Sequence, residues 1–366
     1  MMDKSYYWDI SRTLTHNTLF NFIIGNRGGG KSYGCKEFVL NNFIKKHEQF
    51  GYIRRYKDDL LEPMKQFFKD VIREFPDYEY MVDGMKFYFR KKVDTTGIEN
   101  KKELSDILKW RESDICGYGF VLSTASNKKS ISYPDVTTLI FDEFLLDKGN
   151  QRYIKNEVTA FLNLYETVAR PGSDHKRVIA FLLANSITVT NPYFLYFDLK
   201  MPIKKDKNDK WIWKHPTKSI LVEDVRIEKF IEKKKNTEFG NIVSDTTYSE
   251  YSIENKMMYD NDTFIEKRDK TSQYFFTFTY KEFTFGAWVS YKLGKIWISK
   301  KVDKDYHYNY SITLDDHRPN MLLLKDKNRS GRFRVFLDNY KVGNVYFEDV
   351  QIKNICYEII KTTLNM

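Results

Sequence analysis

Cysteine, histidine and long apolar runs are all scarce in this chain, and each scarcity excludes something. The three cysteines, Cys35, Cys116 and Cys356, are too few and too far apart for a disulfide framework or a metal cluster. They point to a reducing compartment. The six histidines form no H-x-x-x-H pair and no His/Cys pairing, which argues against a zinc site. The best apolar stretches, 138–146 and 178–189, are too short or too polar to span a bilayer. Residues 1–10 carry Asp3, Lys4 and Asp9 where a signal peptide would have an apolar core. A soluble, cytoplasmic chain with no membrane partner is expected. Internal repeats and low-complexity tracts are absent as well.

What is present is globular in texture: 366 residues, 42% hydrophobic, 16% aromatic and 30% charged. This length exceeds the usual single core, so two domains are expected. The formal net charge of +10 favours a polyanionic partner, although many basic proteins use such charge only for solubility.

Residues 25–32 read Gly25-Asn26-Arg27-Gly28-Gly29-Gly30-Lys31-Ser32, a complete G-x-x-x-x-G-K-S/T phosphate-binding loop. The apolar run at 19–24 predicts a buried strand before it. The spacing of Phe38, Val39, Phe43 and Ile44 predicts a helix over 33–45. Strand, glycine loop and helix in this order give the motif its meaning. Glycines allow positive φ and close approach to phosphates, and the amide groups at the helix start favour an anion. Lys31 is expected on the β- and γ-phosphates of ATP, and the Ser32 hydroxyl on Mg²⁺.

Further strands are expected at 50–54, 120–123, 138–141 and 177–184, alternating with helical stretches, as in a parallel α/β sheet. Residues 80–89 read as a hairpin around Asp83-Gly84, and 93–113 as an insertion. Residues 200–218 are polar, basic and proline-containing, and read as a linker; 219–240 look helical and highly charged. From about Ser249 the texture becomes aromatic and antiparallel, with strands at 273–290 and 295–299 and a closing helix near 352–362. The resulting division is 1–198, a linker or lid at 199–240, and 241–366.

Thr138-Leu139-Ile140-Phe141-Asp142-Glu143 is an apolar strand ending in two acids. A strand of this kind fixes Asp142 beside a metal and sends Glu143 toward the γ-phosphate to polarise water. This ending suits an ATPase with a catalytic glutamate better than a small-molecule kinase. Asn185, at the tip of the 177–184 run, reads either as a γ-phosphate sensor or as a strand-end turn. Arg170 ends a helical stretch before Pro171-Gly172, either as a solvated helix-terminal cation or as a finger for a neighbouring site. Arg54, Arg55 and Lys57 follow the second strand, as a basic turn or as a relay that touches phosphates.

These residues resemble the genome-packaging ATPases of small tailed bacteriophages of the phi-twenty-nine type. The likeness runs through residues 21–33, 52–57, 141–144, 156–164 and 191–194, then 264–268 and 283–289. It implies an α/β, P-loop ATPase domain of the additional-strand, catalytic-glutamate class, and a smaller α+β C-terminal domain similar to RNase H-type nucleases. It also implies a homomeric, five-membered ring at the portal vertex of a procapsid in the host cytoplasm. That ring would drive double-stranded DNA inward, with the capsid portal as partner and a packaging RNA as a scaffold in the relatives. By position, Lys31 and Ser32 take nucleotide and metal, Asp142 is the metal-side acid and Glu143 the base. Arg170 falls on a finger acting in trans, and Arg54, Arg55 and Lys57 on a segment coupling subunits. Lys148, in the loop 147–150, falls where the family contacts DNA. Two other readings stay open: a terminase-like ATPase whose C-terminal acids (Asp260, Asp262, Glu266, Asp303, Asp305, Asp315, Asp316) cut DNA through two metals, and a ring scaffold that holds nucleotide without splitting it.

Overall fold

The computed structural model describes residues 6–128, 131–146, 153–154, 156–170, 177–185, 188, 190–207, 209–244, 246, 249, 253, 263–280, 283–303, 305–324 and 331–364. The chain packs as two compact units: Met1–Thr188 with Tyr196–Met258, and Val189–Leu195 with Tyr259–Met366.

In chain order the first unit opens with α1 (Ile10–Leu14), β1 (Phe20–Gly25), α2 (Lys31–Lys46), β2 (Gln49–Arg54) and α3 (Asp58–Gln66). The hairpin β3 (Tyr78–Asp83) and β4 (Lys86–Lys91) follows, then α4 (Lys101–Leu108), β5 (Ile115–Val121), β6 (Val136–Asp142), α5 (Glu157–Val168) and β7 (Ile179–Ala184). The unit boundary falls within α6 (Pro192–Phe197). β8 (Trp211–Lys214), β9 (Ile220–Val225), α7 (Glu228–Lys235) and α8 (Glu238–Ile242) complete the first unit.

Its strands form one sheet in the order β3-β4-β5-β2-β6-β7-β1-β9-β8. From β5 to β9 every pairing is parallel. The hairpin and β8 close the two edges through antiparallel pairs. Parallel strands are covered on both faces, so they read as unbroken apolar runs. β1 is buried along its whole length, and β6 up to Phe141. Each such Phe, Ile or Leu side chain contributes about 1.5–3 kcal/mol by leaving water. The hairpin turns where the sequence indicated, with Asp83 opposite Lys86 and Gly84 at φ 54°.

Two sequence expectations shift. The strand expected at 120–123 is β5, which begins at Ile115. Gly117 and Gly119 disguise it, because glycine inside a strand usually marks close packing. A Cβ at Gly117 would lie 2.7 Å from the Phe50 ring, and one at Gly119 2.5 Å from the Met64 sulfur.

The second shift is larger. Residues 199–240 are not simply a linker: β9 pairs with β1 in parallel from Phe20↔Ile220 to Gly25↔Val225, and β8 lies outside it. Two acids inside β9 hid this strand. Glu223 and Asp224 are both buried, but neither lacks a partner. The Glu223 carboxylate accepts from Trp8 Nε1 at 3.1 Å and Thr13 Oγ1 at 2.5 Å, and burial pushes its pKa up. Asp224 is held by Arg226 at 2.6 Å. Buried acids with donors in place are tolerated in a strand.

Arg55, just past β2, is also structural. Its guanidinium grips Glu157 of α5 through Nε and Nη2, both at 2.8 Å. Nη2 also donates to the Phe144 carbonyl at 2.9 Å, and Nη1 to that of Glu143 at 3.2 Å. Both side chains are almost fully buried, at 3% and 0% exposure. A contact between Arg55 and DNA phosphates is therefore corrected: the cation is enclosed and neutralised. Lys57, at the N-terminal cap of α3, is exposed.

The second unit carries β10 (Gln273–Tyr280), β11 (Phe283–Ser290), β12 (Lys295–Ser299), β13 (Asn309–Ser311), β14 (Leu322–Leu323), α9 (Gly331–Lys341), β15 (Val345–Phe347) and α10 (Val350–Leu364). Its sheet order is β14-β13-β10-β11-β12-β15. β10, β11 and β12 form an antiparallel meander, while β13 joins β10, β14 joins β13 and β15 joins β12 in parallel. Phe276, Phe278, Phe333, Phe336, Ile352 and Ile359 belong to its core. The sequence texture anticipated β10 to β12 and α10, whereas β13 to β15 are too short to leave a pattern.

Three outcomes test this packing. A Cβ at Gly51 of β2 would sit 2.5 Å from both Leu139 Cδ2 and Phe120 Cε2, so Gly51→Ala should cost about 1–3 kcal/mol in chemical denaturation. Arg55→Met should cost about 3–5 kcal/mol, because it strands the buried Glu157 charge. Lys57→Ala should stay within about 0.5 kcal/mol of the parent.

Candidate active site

The parallel register brings three strand ends level. Asp142 of β6 pairs with Leu183 of β7, and Leu183 pairs with Ile23 of β1. β7 therefore lies between the strand that feeds the glycine loop and the strand that ends in two acids. A cleft of about 320 Å³ opens there, lined by Arg27, Gly28, Gly29, Gly30, Lys31, Ser32, Asp142, Glu143 and Asn185 together with Tyr7, Tyr33, Leu183 and Ala184.

The loop is shaped by its glycines. Gly28 and Gly30 have φ of 86° and 82°, which L side chains adopt only under strain. Gly30 also caps α2, and a Cβ there would lie 2.8 Å from Tyr7 Cβ. Gly25 and Asn26 do not line the cleft. Their carbonyls accept hydrogen bonds from Lys31 Nζ at 2.9 and 2.7 Å, and the Asn26 amide donates to the Ile253 carbonyl. Lys31 is buried, and desolvation brings its pKa down to about 8; nearby Asp142 opposes the shift and Lys234 adds to it. An enclosed ammonium resting on neutral carbonyls is suited to an incoming anion.

The two acids occupy unlike settings. Asp142 is fixed on both oxygens: Ser32 Oγ donates to Oδ1 at 3.2 Å, and the Tyr52 hydroxyl donates to Oδ2 at 2.9 Å. Burial, then the neighbouring Asp142 carboxylate, hold the Tyr52 phenol far above its usual pKa, so it remains a donor. Glu143 departs from the strand with φ 62°, and the next residue, Phe144, returns to bond the Leu183 carbonyl at 3.1 Å. A left-handed non-glycine residue is costly, and such residues gather at functional sites. The Glu143 side chain is 61% exposed, and Arg54 Nη1 donates to its carboxylate at 2.5 Å. Arg54 Nε is buried with no hydrogen-bond partner among the described residues.

This set fits the groups that the motif implies. Ser32 and Asp142 offer two oxygens 3.2 Å apart for Mg²⁺. Lys31 and the loop amides suit phosphate oxygens.

The remaining sequence candidates separate. Asn185 lines the cleft at the end of β7. Arg170 lies beyond the α5 cap, is half-buried and does not line the cleft. Lys148, and Asp260 and Asp262 of the C-terminal acids, lie outside the described residues. Tyr7, Tyr52 and Tyr33 were missed. Tyr7 and Tyr33 line the cleft, while Tyr52 is two residues before the Arg54 that was singled out. A tyrosine within an apolar strand reads as core, and no motif marks one that donates to a carboxylate.

Comparison with known proteins then places the chain. The family described as Podovirus DNA encapsidation protein (Gp16) matches residues 2–102 and 101–364. The DNA packaging protein of Bacillus phage phi29 is 35% identical over 365 residues, covering 98% of this chain and 98% of that protein. That of Bacillus phage B103 is 34% identical over 348 residues, 95% of this chain and 98% of that protein. A chain in the solved bacteriophage Phi-29 viral genome packaging motor assembly is 34% identical, with a TM-score of 0.71 over 98% of this chain and 99% of that one. Among the described residues no helix is long and apolar enough to cross a membrane. The two family matches together span nearly the whole sequence, so this chain belongs to the Podovirus DNA encapsidation protein (Gp16) family.

Proposed function

We propose that this protein hydrolyses ATP to drive double-stranded DNA into a preformed viral capsid. One observation carries the ATPase half: the glycine loop, Asp142 and Glu143 meet in a single cleft across β7. The DNA half rests on the family and on kinship with proteins called DNA packaging proteins.

In this reading Lys31 and the loop amides bind the phosphates. Ser32 and Asp142 would hold Mg²⁺, which supplies positive charge to the phosphate oxygens. Glu143 orients and deprotonates water, and Asn185 senses the γ-phosphate. Arg54 donates to the Glu143 carboxylate at 2.5 Å in this structure and so occupies an oxygen that a water would otherwise approach. Loosening that pair would couple the β2 tip to turnover. Arg170 does not line its own cleft, which suits a finger serving a neighbouring subunit in a five-membered ring. Partners in this reading are DNA, the capsid portal and a packaging RNA, with the ring at the portal vertex in the host cytoplasm. Lys148 and the exposed Lys57 are the proposed DNA contacts.

The strand inserted between β1 and β6, with paired acids on β6, supports the additional-strand, catalytic-glutamate class. Residues 199–240 would then belong to the ATPase domain, supplying β8 and β9 before the lid helices α7 and α8. The meander β10 to β12, with β13 and β14 added in parallel beyond β10, supports an RNase H-type second unit. We read it as binding without cutting. Glu266 is occupied by Lys295 at 2.8 Å and Trp297 Nε1 at 3.3 Å, and Asp316 by Thr313 Oγ1 at 2.5 Å.

Glu143→Gln should leave ATP affinity within about twofold while lowering phosphate release by roughly 10²–10⁴-fold, measured with DNA and procapsids present. Unchanged turnover would remove Glu143 from the role of base. Mixing Arg170→Ala with Lys31→Ala protein should restore part of the hydrolysis that each has lost, since mixed rings contain some intact interfaces. Failure at every mixing ratio would argue against shared sites.

A further inference from the structure

The motif accounts for one face of the phosphate loop. The loop is also met by α7, within a stretch that reads simply as a run of lysines at a helix end (Lys233, Lys234, Lys235). Cations at a helix C-terminus are ordinary, because they offset the helix dipole, and the three residues differ in what they touch. Lys233 Nζ lies 5.2 Å from the Tyr6 ring centre. Lys234 Nζ reaches the loop itself and donates to the Arg27 carbonyl at 3.4 Å.

The backbone explains why it reaches there. Phe230 lies one turn before Lys234, on the same face of α7. Its Cζ is 3.3 Å from where a Cβ on Gly28 would stand, so the helix packs directly on the loop at a glycine. Tyr7 crowds Gly30 from the N-terminal segment, and the Tyr7 and Phe230 rings lie 6.4 Å apart. Two neighbouring aromatic residues thus pack on the loop at its glycines, with Lys234 carried in by the helix. Arg27 and Lys31 line the cleft, and Lys234 bonds the backbone of the loop that forms its wall. They affect one another: Lys234 depresses Lys31, and burial and then Arg27 depress Lys234. Like charges gathered in a partly enclosed place favour a polyanion that relieves them.

We propose that Lys234 is a further phosphate-binding residue of the nucleotide site, supplied by α7 from outside the phosphate-loop motif, so that nucleotide occupancy is felt directly by the segment after β9. This rests on the ATP reading above, and it adds a ligand from an element that no phosphate-loop pattern includes.

The test is ATP binding to the full-length protein by titration calorimetry, beside the thermal midpoint of each ligand-free variant. Lys234→Ala should weaken ATP binding about tenfold, the scale of one lost charge-assisted hydrogen bond. Its binding should also depend less steeply on salt. Lys234→Arg should restore most of the affinity, and Lys233→Ala should bind like the parent. Unchanged affinity in Lys234→Ala would overturn the inference. So would an equal loss in Lys234→Arg, which would mean that the lysine only packs. A folded parent protein that fails to bind ATP would sink the ATPase reading itself, an outcome distinct from either of these.

Discussion

A parallel ladder that sets Asp142, Leu183 and Ile23 side by side is the constraint on which the site depends. Parallel strands expose their carboxyl ends together, and ligands in open α/β sheets bind outside those ends. A slip of one residue between β6 and β7 would turn every side chain of β6 to the other face. Asp142 would then lose both Ser32 and Tyr52. The register is secured because β1, β6 and β7 are buried almost throughout, leaving no solvent face on which to slide. β9 matters here too. Without it β1 would be an edge strand, and the loop that follows would be anchored on one side only.

Within that frame, the two adjacent acids divide their duties by environment. Asp142 accepts from Ser32 and Tyr52 and sits at the end of a straight strand, which fixes its carboxylate in place. Glu143 follows immediately but bends into the left-handed region, so its carboxylate is solvent-facing and held by one guanidinium. Adjacent carboxylates in the same setting would repel each other and blur their roles. Backbone strain at a single residue separates them. The neighbouring arginines divide in the same way. Arg55 is enclosed with Glu157 and anchors the β2 tip, while Arg54 stays beside the cleft with one donor unmatched.

The legible parts of the sequence were those whose chemistry is local. The glycine loop, its lysine and serine, and the Asp142-Glu143 ending each sit within a few residues, and their strands are continuous apolar runs. What escaped notice depends on partners distant in sequence. Glu223 and Asp224 look like a polar break until Trp8 and Thr13, more than two hundred residues earlier, are seen to satisfy Glu223. Arg55 looked like a surface cation because its partner, Glu157, lies 102 residues away. Tyr52 and Tyr7 belong to no pattern, and Lys234 was hidden within an ordinary lysine run. Local periodicity cannot register a satisfied buried charge, because satisfaction is a tertiary property.

The net positive charge shows the same limit from another side. As one number it suggested a polyanion, but the cations behind it do different things. Lys36 lies 2.5 Å from Asp70 and over the Phe67 ring; Arg226 clasps Asp224 and covers Trp211 at 4.5 Å. Arg268 stacks on Trp288 at 3.8 Å in the second unit. These are packing residues, and their charge is largely spent within the fold. Arg27 and Lys31 face a cleft in which the nearby acids are already engaged, Asp142 by Ser32 and Tyr52 and Glu143 by Arg54. That imbalance is local, enclosed and weakly screened, so it would act on an anion far more strongly than the same charge spread over the surface. DNA backbone contacts need the opposite kind of cation, exposed and unspent, which Lys57 is and Arg55 is not. Charge in this protein is therefore informative by position and burial, and its sum says little about which anion each group serves.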